Sequence, residues 1–160
     1  MGEITYIRGD ATTPSAKGVK LIAHVCNDIG GWGKGFVVAV SRRWPEPEAA
    51  YRAWHRGRAS NDFGLGAAQF VQVERYVWVA NLVGQRGVRR GSNGVPVRYE
   101  AIDEAPGRLA DKAVELGASV HMPRIGCGLA GGKWSRIEPL IADRLLTRDL
   151  AVTVYDHGEG

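Results

Sequence analysis

Cysteine is scarce in this sequence. Only Cys26 and Cys127 occur among 160 residues, about a hundred positions apart and in no C-x-x-C pair. A structural zinc site needs more thiol and imidazole ligands, and the four histidines (His24, His55, His121, His157) show no ligand spacing. No metal is therefore expected. The sequence neighbours of either cysteine offer no base, so both read as buried small thiols. Long apolar runs are missing as well: none approaches the roughly 18 residues of a membrane span, so no membrane partner is expected. The opening MGEITYIRGD lacks the basic region and long apolar stretch of a signal peptide, which leads us to expect a cytoplasmic protein. Internal repeats, low-complexity segments and linkers are also absent, so residues 1–160 are expected to form a single domain.

What is present fits an ordinary folded chain. Hydrophobic residues make up 44% and charged residues 24%, enough to build a core at this length. Lys and Arg (21) outnumber Asp and Glu (17), and the net +4 leans weakly toward an anionic partner such as a nucleotide or nucleic acid.

Apolar periodicity alternates between strand and helix. Ile4–Arg8 alternates as a strand, and Val19–Cys26 is a nearly continuous apolar run, as expected of a strand covered on both faces. Helices are predicted over Phe36–Trp44 and Pro47–His55, separated by prolines. Leu65–Glu74 and Arg75–Val83 read as two strands joined by a tight turn, and Gly84–Pro96 as a loop. A long amphipathic helix follows over Arg98–Leu116, with Gly117 as its C-cap. Ser119–Arg124 and Ala151–Tyr155 read as strands, with a helix over Ser135–Thr147 between them. The expected fold is a three-layer α/β/α domain around a sheet of about six strands.

Two glycine clusters fall after strands, where ligands collect in such sheets. One is Gly126-Cys127-Gly128-Leu129-Ala130-Gly131-Gly132, whose G-x-G-x-x-G spacing suits an anion held by backbone N–H groups before a helix. Read on its own, it is equally a tight strand-to-helix turn. It comes too late in the chain for a Rossmann domain, which carries this fingerprint in its first βα unit. The other is Gly30-Gly31-Trp32-Gly33-Lys34-Gly35-Phe36. It is not a P-loop: Asp28 stands where the first glycine should be, and Gly35 replaces the Ser or Thr that holds magnesium. Two glycine loops closing on one ligand suit a diphosphate better than a single phosphate.

Taken in order, these segments resemble a macrodomain, the ADP-ribose-binding α/β/α module with a mixed central sheet, over essentially the whole chain. Tyr6-Ile7-Arg8-Gly9-Asp10-Ala11-Thr12 looks like the family's opening strand and turn. Ile22-Ala23-His24-Val25-Cys26-Asn27-Asp28 looks like its first ligand loop. Pro123-Arg124-Ile125-Gly126-Cys127-Gly128-Leu129 looks like its phosphate loop, in the form found among terminal ADP-ribose glycohydrolases and a chromatin-remodeller reader. The resemblance implies that Asp10 and the Ala11 N–H read adenine while Tyr155 packs on it. It implies that Gly126, Cys127, Gly128, Leu129 and Ala130 hold the pyrophosphate. Gly33, Lys34, Gly35 and Phe36 would close the opposite side, with Asn27 and Asp28 near the distal ribose. No cofactor is implied.

The chain departs from that branch at its chemistry. The branch's lysine falls at Gln85 here, with Gly84 beside it, and its aspartate after G-C-G-L falls at Ala130. Neither replacement can form a covalent adduct with the sugar. Two function classes follow. One is a mono-ADP-ribosyl hydrolase acting on modified acidic side chains or nucleobases, with Asp28, or else the carboxamides of Asn27 or Gln85, orienting a water. The other is a reader that binds ADP-ribose without cutting it. The expected partners are ADP-ribose and ADP-ribosylated protein or DNA. Arg86, Arg89 and Arg90 in the basic loop would offer a weak nucleic-acid contact. A purely nucleic-acid-binding domain is disfavoured, because no recognition helix or aromatic platform is visible. A small domain standing alone is expected to act, and the hydrolase is the reading we carry forward.

Overall fold

A computed structural model of the chain describes residues 2–88 and 94–156. Six strands form one sheet: β1 (Thr5–Arg8), β2 (Lys20–Asn27), β3 (Ala68–Glu74), β4 (Val77–Gln85), β5 (Ser119–Met122) and β6 (Val152–Asp156). Their spatial order is β1-β6-β5-β2-β4-β3. Only β3 runs antiparallel to its neighbour, so the sheet is mixed. Helices α1 (Phe36–Arg43) and α2 (Glu46–Arg56) cover one face, and α3 (Tyr99–Leu116) and α4 (Trp134–Leu145) the other. The three-layer mixed α/β fold expected from the sequence is the fold observed.

The alternation of β2 explains the layers. Leu21 and Ala23 point into the core beneath α3 and α4, and Ile22 and Cys26 point into the core beneath α1 and α2. Both sets are buried, which is why the strand reads as a continuous apolar run. The third helix ends at Gly117, whose φ of 63° is the left-handed C-cap geometry. Among the described residues no helix is long and apolar enough to cross a membrane.

Several boundaries differ from the sequence reading. The expected loop at Gly84–Pro96 starts two residues too early, because Gly84 and Gln85 continue β4 and Gln85 pairs with Asn27. The glycine that suggested a loop has a packing cause: a Cβ at position 84 would lie 2.6 Å from Ile102 Cδ1 of α3. β3 begins at Ala68 rather than Leu65, and β5 ends at Met122, leaving Pro123 and Arg124 to start the following loop. The last helix closes in a short 3-10 turn at Leu146–Arg148. Arg89, Arg90 and His157 lie outside the described residues.

Candidate functional site

Strand order decides where the glycine clusters meet. β5 lies between β6 and β2, so the loop leaving β5 sits between whatever forms over β1/β6 and whatever forms over β2/β4. Two clefts flank it. One, of about 200 Å³, is lined by Gly9, Asp10, Ala11, Phe36, Pro123 and Tyr155. The other, of about 540 Å³, is lined by Asn27, Ile29, Gly33, Lys34, Gln85 and Val88, with Cys26 and Trp32 at its base.

In the smaller cleft the Asp10 carboxylate is half committed. Its Oδ1 accepts the Thr12 N–H at 2.8 Å and the Thr12 hydroxyl at 2.7 Å, which leaves Oδ2 to meet a ligand donor. Tyr155 is buried and its hydroxyl lies 2.7 Å from His121 Nδ1, while His121 Nε2 lies 2.7 Å from the Ser119 hydroxyl. Burial pushes the Tyr155 pKa up and the His121 pKa down to about 4, so both are neutral near pH 7. This buried relay fixes the ring beside the cleft. Sequence periodicity gave no sign of it, because Ser119 and His121 read simply as members of a strand.

The connecting loop is held rigidly. Gly126, Gly128 and Gly131 all have positive φ, and a 3-10 turn spans Gly128–Ala130. The Gly132 N–H reaches back to the Gly126 carbonyl at 2.7 Å, and the Val97 N–H binds the Ala130 carbonyl at 2.9 Å. The N–H groups of Gly128 and Leu129 open this 3-10 turn and so have no carbonyl partner within it. Successive unpaired N–H groups in such a turn form a concavity for an anion. At its root, the Arg124 guanidinium grips the Asp156 carboxylate through two hydrogen bonds, of 2.6 and 3.1 Å. The Cys127 thiol is pushed up in pKa by burial and the fully buried Cys26 thiol more strongly so, which keeps both protonated.

A Cβ on Gly132 would stand 2.3 Å from the Gly126 carbonyl oxygen and 2.9 Å from Ile137 Cδ1. Gly132→Ala is therefore expected to destabilise the protein by about 1–3 kcal/mol, the usual cost of overpacking. Urea unfolding checks this, and an unchanged midpoint would mean that the loop relaxes freely.

In the larger cleft the three residues expected to orient a water play different parts. Asn27 Oδ1 accepts the N–H groups of Ile29 (2.9 Å) and Gly31 (3.0 Å) and lies 2.8 Å from the Tyr51 hydroxyl, while Nδ2 donates to the Gly31 carbonyl at 2.8 Å. The Tyr51 hydroxyl also lies 2.6 Å from the Asn27 carbonyl and accepts the Gly30 N–H at 3.1 Å. Asn27 thus shapes the glycine turn. Asp28 is outside the lining; its Oδ1 accepts the Gly87 N–H at 2.7 Å. Gln85 lines the cleft and donates from Nε2 to the Gly87 carbonyl at 2.9 Å, which leaves its Oε1 available. Asp28, from the loop after β2, and Gln85, at the end of β4, therefore hold the N–H and the carbonyl of Gly87, the peptides on its two sides. Tyr51, Ile29 and Val88 carried no signal in the sequence, because each joins the site only through tertiary contact.

Gly33 and Lys34 face the larger cleft and Phe36 the smaller one, with Gly35 capping α1 at a φ of 82°. Among the described residues no group of three or more His, Cys, Asp or Glu side chains is placed to hold a metal ion.

No family model matches the chain. The solved structure of a macrodomain protein from Streptomyces coelicolor is 73% identical with a TM-score of 0.88, covering 98% of this chain and all of that one. Chromodomain-helicase-DNA-binding protein 1-like from Danio rerio is 30% identical over 98% of this chain, which spans only 16% of that protein's length. An ADP-ribose 1''-phosphate phosphatase from Lodderomyces elongisporus is 28% identical over 96% of this chain and 99% of its own. Thermosipho africanus DarTG, solved in complex with ADP-ribose, shares the fold alone, at 18% identity and a TM-score of 0.67 over 84% of this chain and 37% of that one. With 73% identity across nearly the whole of both chains, on the six-stranded mixed sheet described above, this chain belongs to the macrodomain family.

Proposed function

We propose that the chain binds ADP-ribose across the two clefts and removes mono-ADP-ribose from acidic protein side chains or nucleobases. The observation that carries the binding reading is the glycine turn with its free N–H groups lying between a small cleft lined by Tyr155 and Phe36 and a larger one that carries Asn27, Lys34 and Gln85 among apolar side chains. That order matches base, diphosphate and distal sugar. The relatives whose names or structures include ADP-ribose support the same ligand.

In this reading adenine lies against Tyr155 and Phe36, and its amino group donates to the free Asp10 Oδ2. The diphosphate takes the N–H groups of Gly128 and Leu129 at the start of the turn that ends at Ala130, with Lys34 closing from the facing loop. The distal ribose enters the larger cleft beside Gln85. Water adds to C1″ as the bond to the linked oxygen or nitrogen breaks, and the proton passes to the departing group. Gln85 Oε1 orients that water, Asp28 holds the Gly87 backbone beside it, and Asn27 is a positioning residue that holds the turn around it. Fixing sugar and water together can supply several kcal/mol without a covalent adduct.

Asp10→Asn keeps the Oδ1 that binds Thr12 but turns the ligand-facing acceptor into a donor. It is expected to weaken ADP-ribose binding by about 1.5–3 kcal/mol, or about 10- to 150-fold. Calorimetry with ADP-ribose, NAD and ADP checks this, and an unchanged affinity places adenine elsewhere. Release of ADP-ribose from modified protein and modified DNA tests the chemistry.

One observation favours a second reading. Among the described residues no carboxylate lines the larger cleft, which suits a reader that binds without cutting. Micromolar binding with no turnover on either substrate would establish the reader and remove the hydrolase.

A further inference from the structure

The small cleft does not end at Tyr155. It continues along α1 past Arg42 and Arg43 into a second groove of about 250 Å³, and the two share Thr12 and Arg43. Lys20, Trp44, Glu74, Arg75 and Tyr76 line this continuation, at the opposite end of α1 from the ligand loops. Four cations therefore stand along one track. Arg42, Arg43 and Arg75 are exposed, and none pairs with a carboxylate among the described residues, whereas six other basic side chains do. Each carboxylate in the two linings has one oxygen engaged: Asp10 Oδ1 by Thr12, and Glu74 Oε2 by the Trp44 Nε1–H at 2.9 Å.

The cations come with flat partners. The Arg43 guanidinium lies 5.1 Å from the Trp44 ring centroid and the Arg75 guanidinium 5.3 Å from that of Tyr76. Tyr76 is 51% exposed at the tip of the β3–β4 hairpin, so its ring face is open to a ligand. Planar cations and aromatic faces along a positive groove are the elements that stack bases and track a phosphodiester backbone. A single strand offers its base faces to an exposed ring such as Tyr76, whereas a duplex keeps them stacked inside.

We propose that this groove along α1 is a binding track for single-stranded nucleic acid, with Arg42, Arg43 and Arg75 on successive phosphates and Tyr76 as a stacking platform. The track is separate from the basic loop at Arg86, which adjoins the larger cleft at the other end of the molecule. It does not depend on ADP-ribose occupying the clefts.

Fluorescence anisotropy with a labelled twelve-nucleotide oligothymidylate in low salt tests the assignment, with an oligouridylate to compare sugars and a duplex as control. Saturable binding is expected, with a log K against log salt slope of about −2 for three phosphate contacts. The combined Arg42→Ala, Arg43→Ala and Arg75→Ala variant is expected to lose at least about tenfold in affinity and most of that slope. Tyr76→Ala alone is expected to lose about fivefold or more while keeping the slope. All four residues are exposed, so melting temperatures should match the unaltered protein. If the triple variant melts early, Tyr76→Ala and Arg75→Ala alone carry the test. Four results would overturn the proposal: no saturable binding, equal affinity in the variants, tighter binding of the duplex, or loss confined to a variant of Arg86, Arg89 and Arg90.

Discussion

Acidification from pH 7 to pH 4 is expected to remove several kcal/mol of stability before most carboxylates titrate. His24 and His121 are buried, and desolvation lowers both pKa values to about 4 from an ordinary 6.5. His24 Nε2 lies 2.6 Å from Asn81 Oδ1. Because Asn81 Nδ2 donates to Pro47 and Gln69, the histidine is the donor, and its Nδ1 is left buried with no partner. A second proton there would be a buried charge without an acceptor. The folded protein therefore stays neutral at both sites while the unfolded chain takes up protons below pH 6.5. Stability is full above that pH and falls as pH drops through the folded values, by on the order of 3 kcal/mol for each histidine. Denaturant unfolding at pH 7, 6, 5 and 4.5 reads the slope. His121→Gln, which keeps a donor and an acceptor, should remove about half of it. Stability that stays flat from pH 6.5 to 4.5 would mean that neither site is closed to protons.

Asn27→Ala should cost about 3 kcal/mol or more, because it strands the N–H groups of Ile29 and Gly31 and one partner of the buried Tyr51 hydroxyl. In a chain of this size that corresponds to a fall of about 6–12 °C in melting temperature. Asn27→Asp keeps the oxygen acceptor but sets its second oxygen against the Gly31 carbonyl, and should melt between Asn27→Ala and the unaltered protein. The pair separates two roles. A positioning residue shows its loss in melting temperature, with turnover following it. A residue acting directly on water would lose turnover with no change in melting. Normal melting of Asn27→Ala would overturn the turn-holding role.

Much of the proposed site was legible in the sequence because the contacts proposed for its ligand are largely backbone contacts. Loops that bind through N–H groups need glycines at fixed offsets, so Gly126, Gly128 and Gly131 advertise themselves. Asp10 is visible for the same reason, as an acid in a turn after a strand. The side-chain partners that hold these loops were not visible. Tyr51 comes from the middle of α2 and His121 from the interior of β5. Each reads locally as an ordinary member of its element, and only folding brings it to the site.

The glycine at position 84 is the instructive failure. A glycine after an apolar run reads equally well as the start of a loop or as a close approach between elements, and local pattern cannot separate the two. Here Ile102 of α3 occupies the space, so strand β4 continues. The basic track along α1 was hidden for a related reason: Lys20, Arg43 and Arg75 are scattered in sequence and adjacent only in space.

The sequence by itself determined the layers, the order of elements and the two glycine loops, because these follow from hydrophobic period and backbone permissiveness, which are local properties. Tertiary structure alone decided that the loop after β5 lies between two clefts, that Asn27 is consumed by its own turn, and that Asp28 and Gln85 hold the two sides of Gly87. Those facts depend on strand order and on contacts between distant segments, where the energy of burying a polar group is settled by which partner folding places beside it.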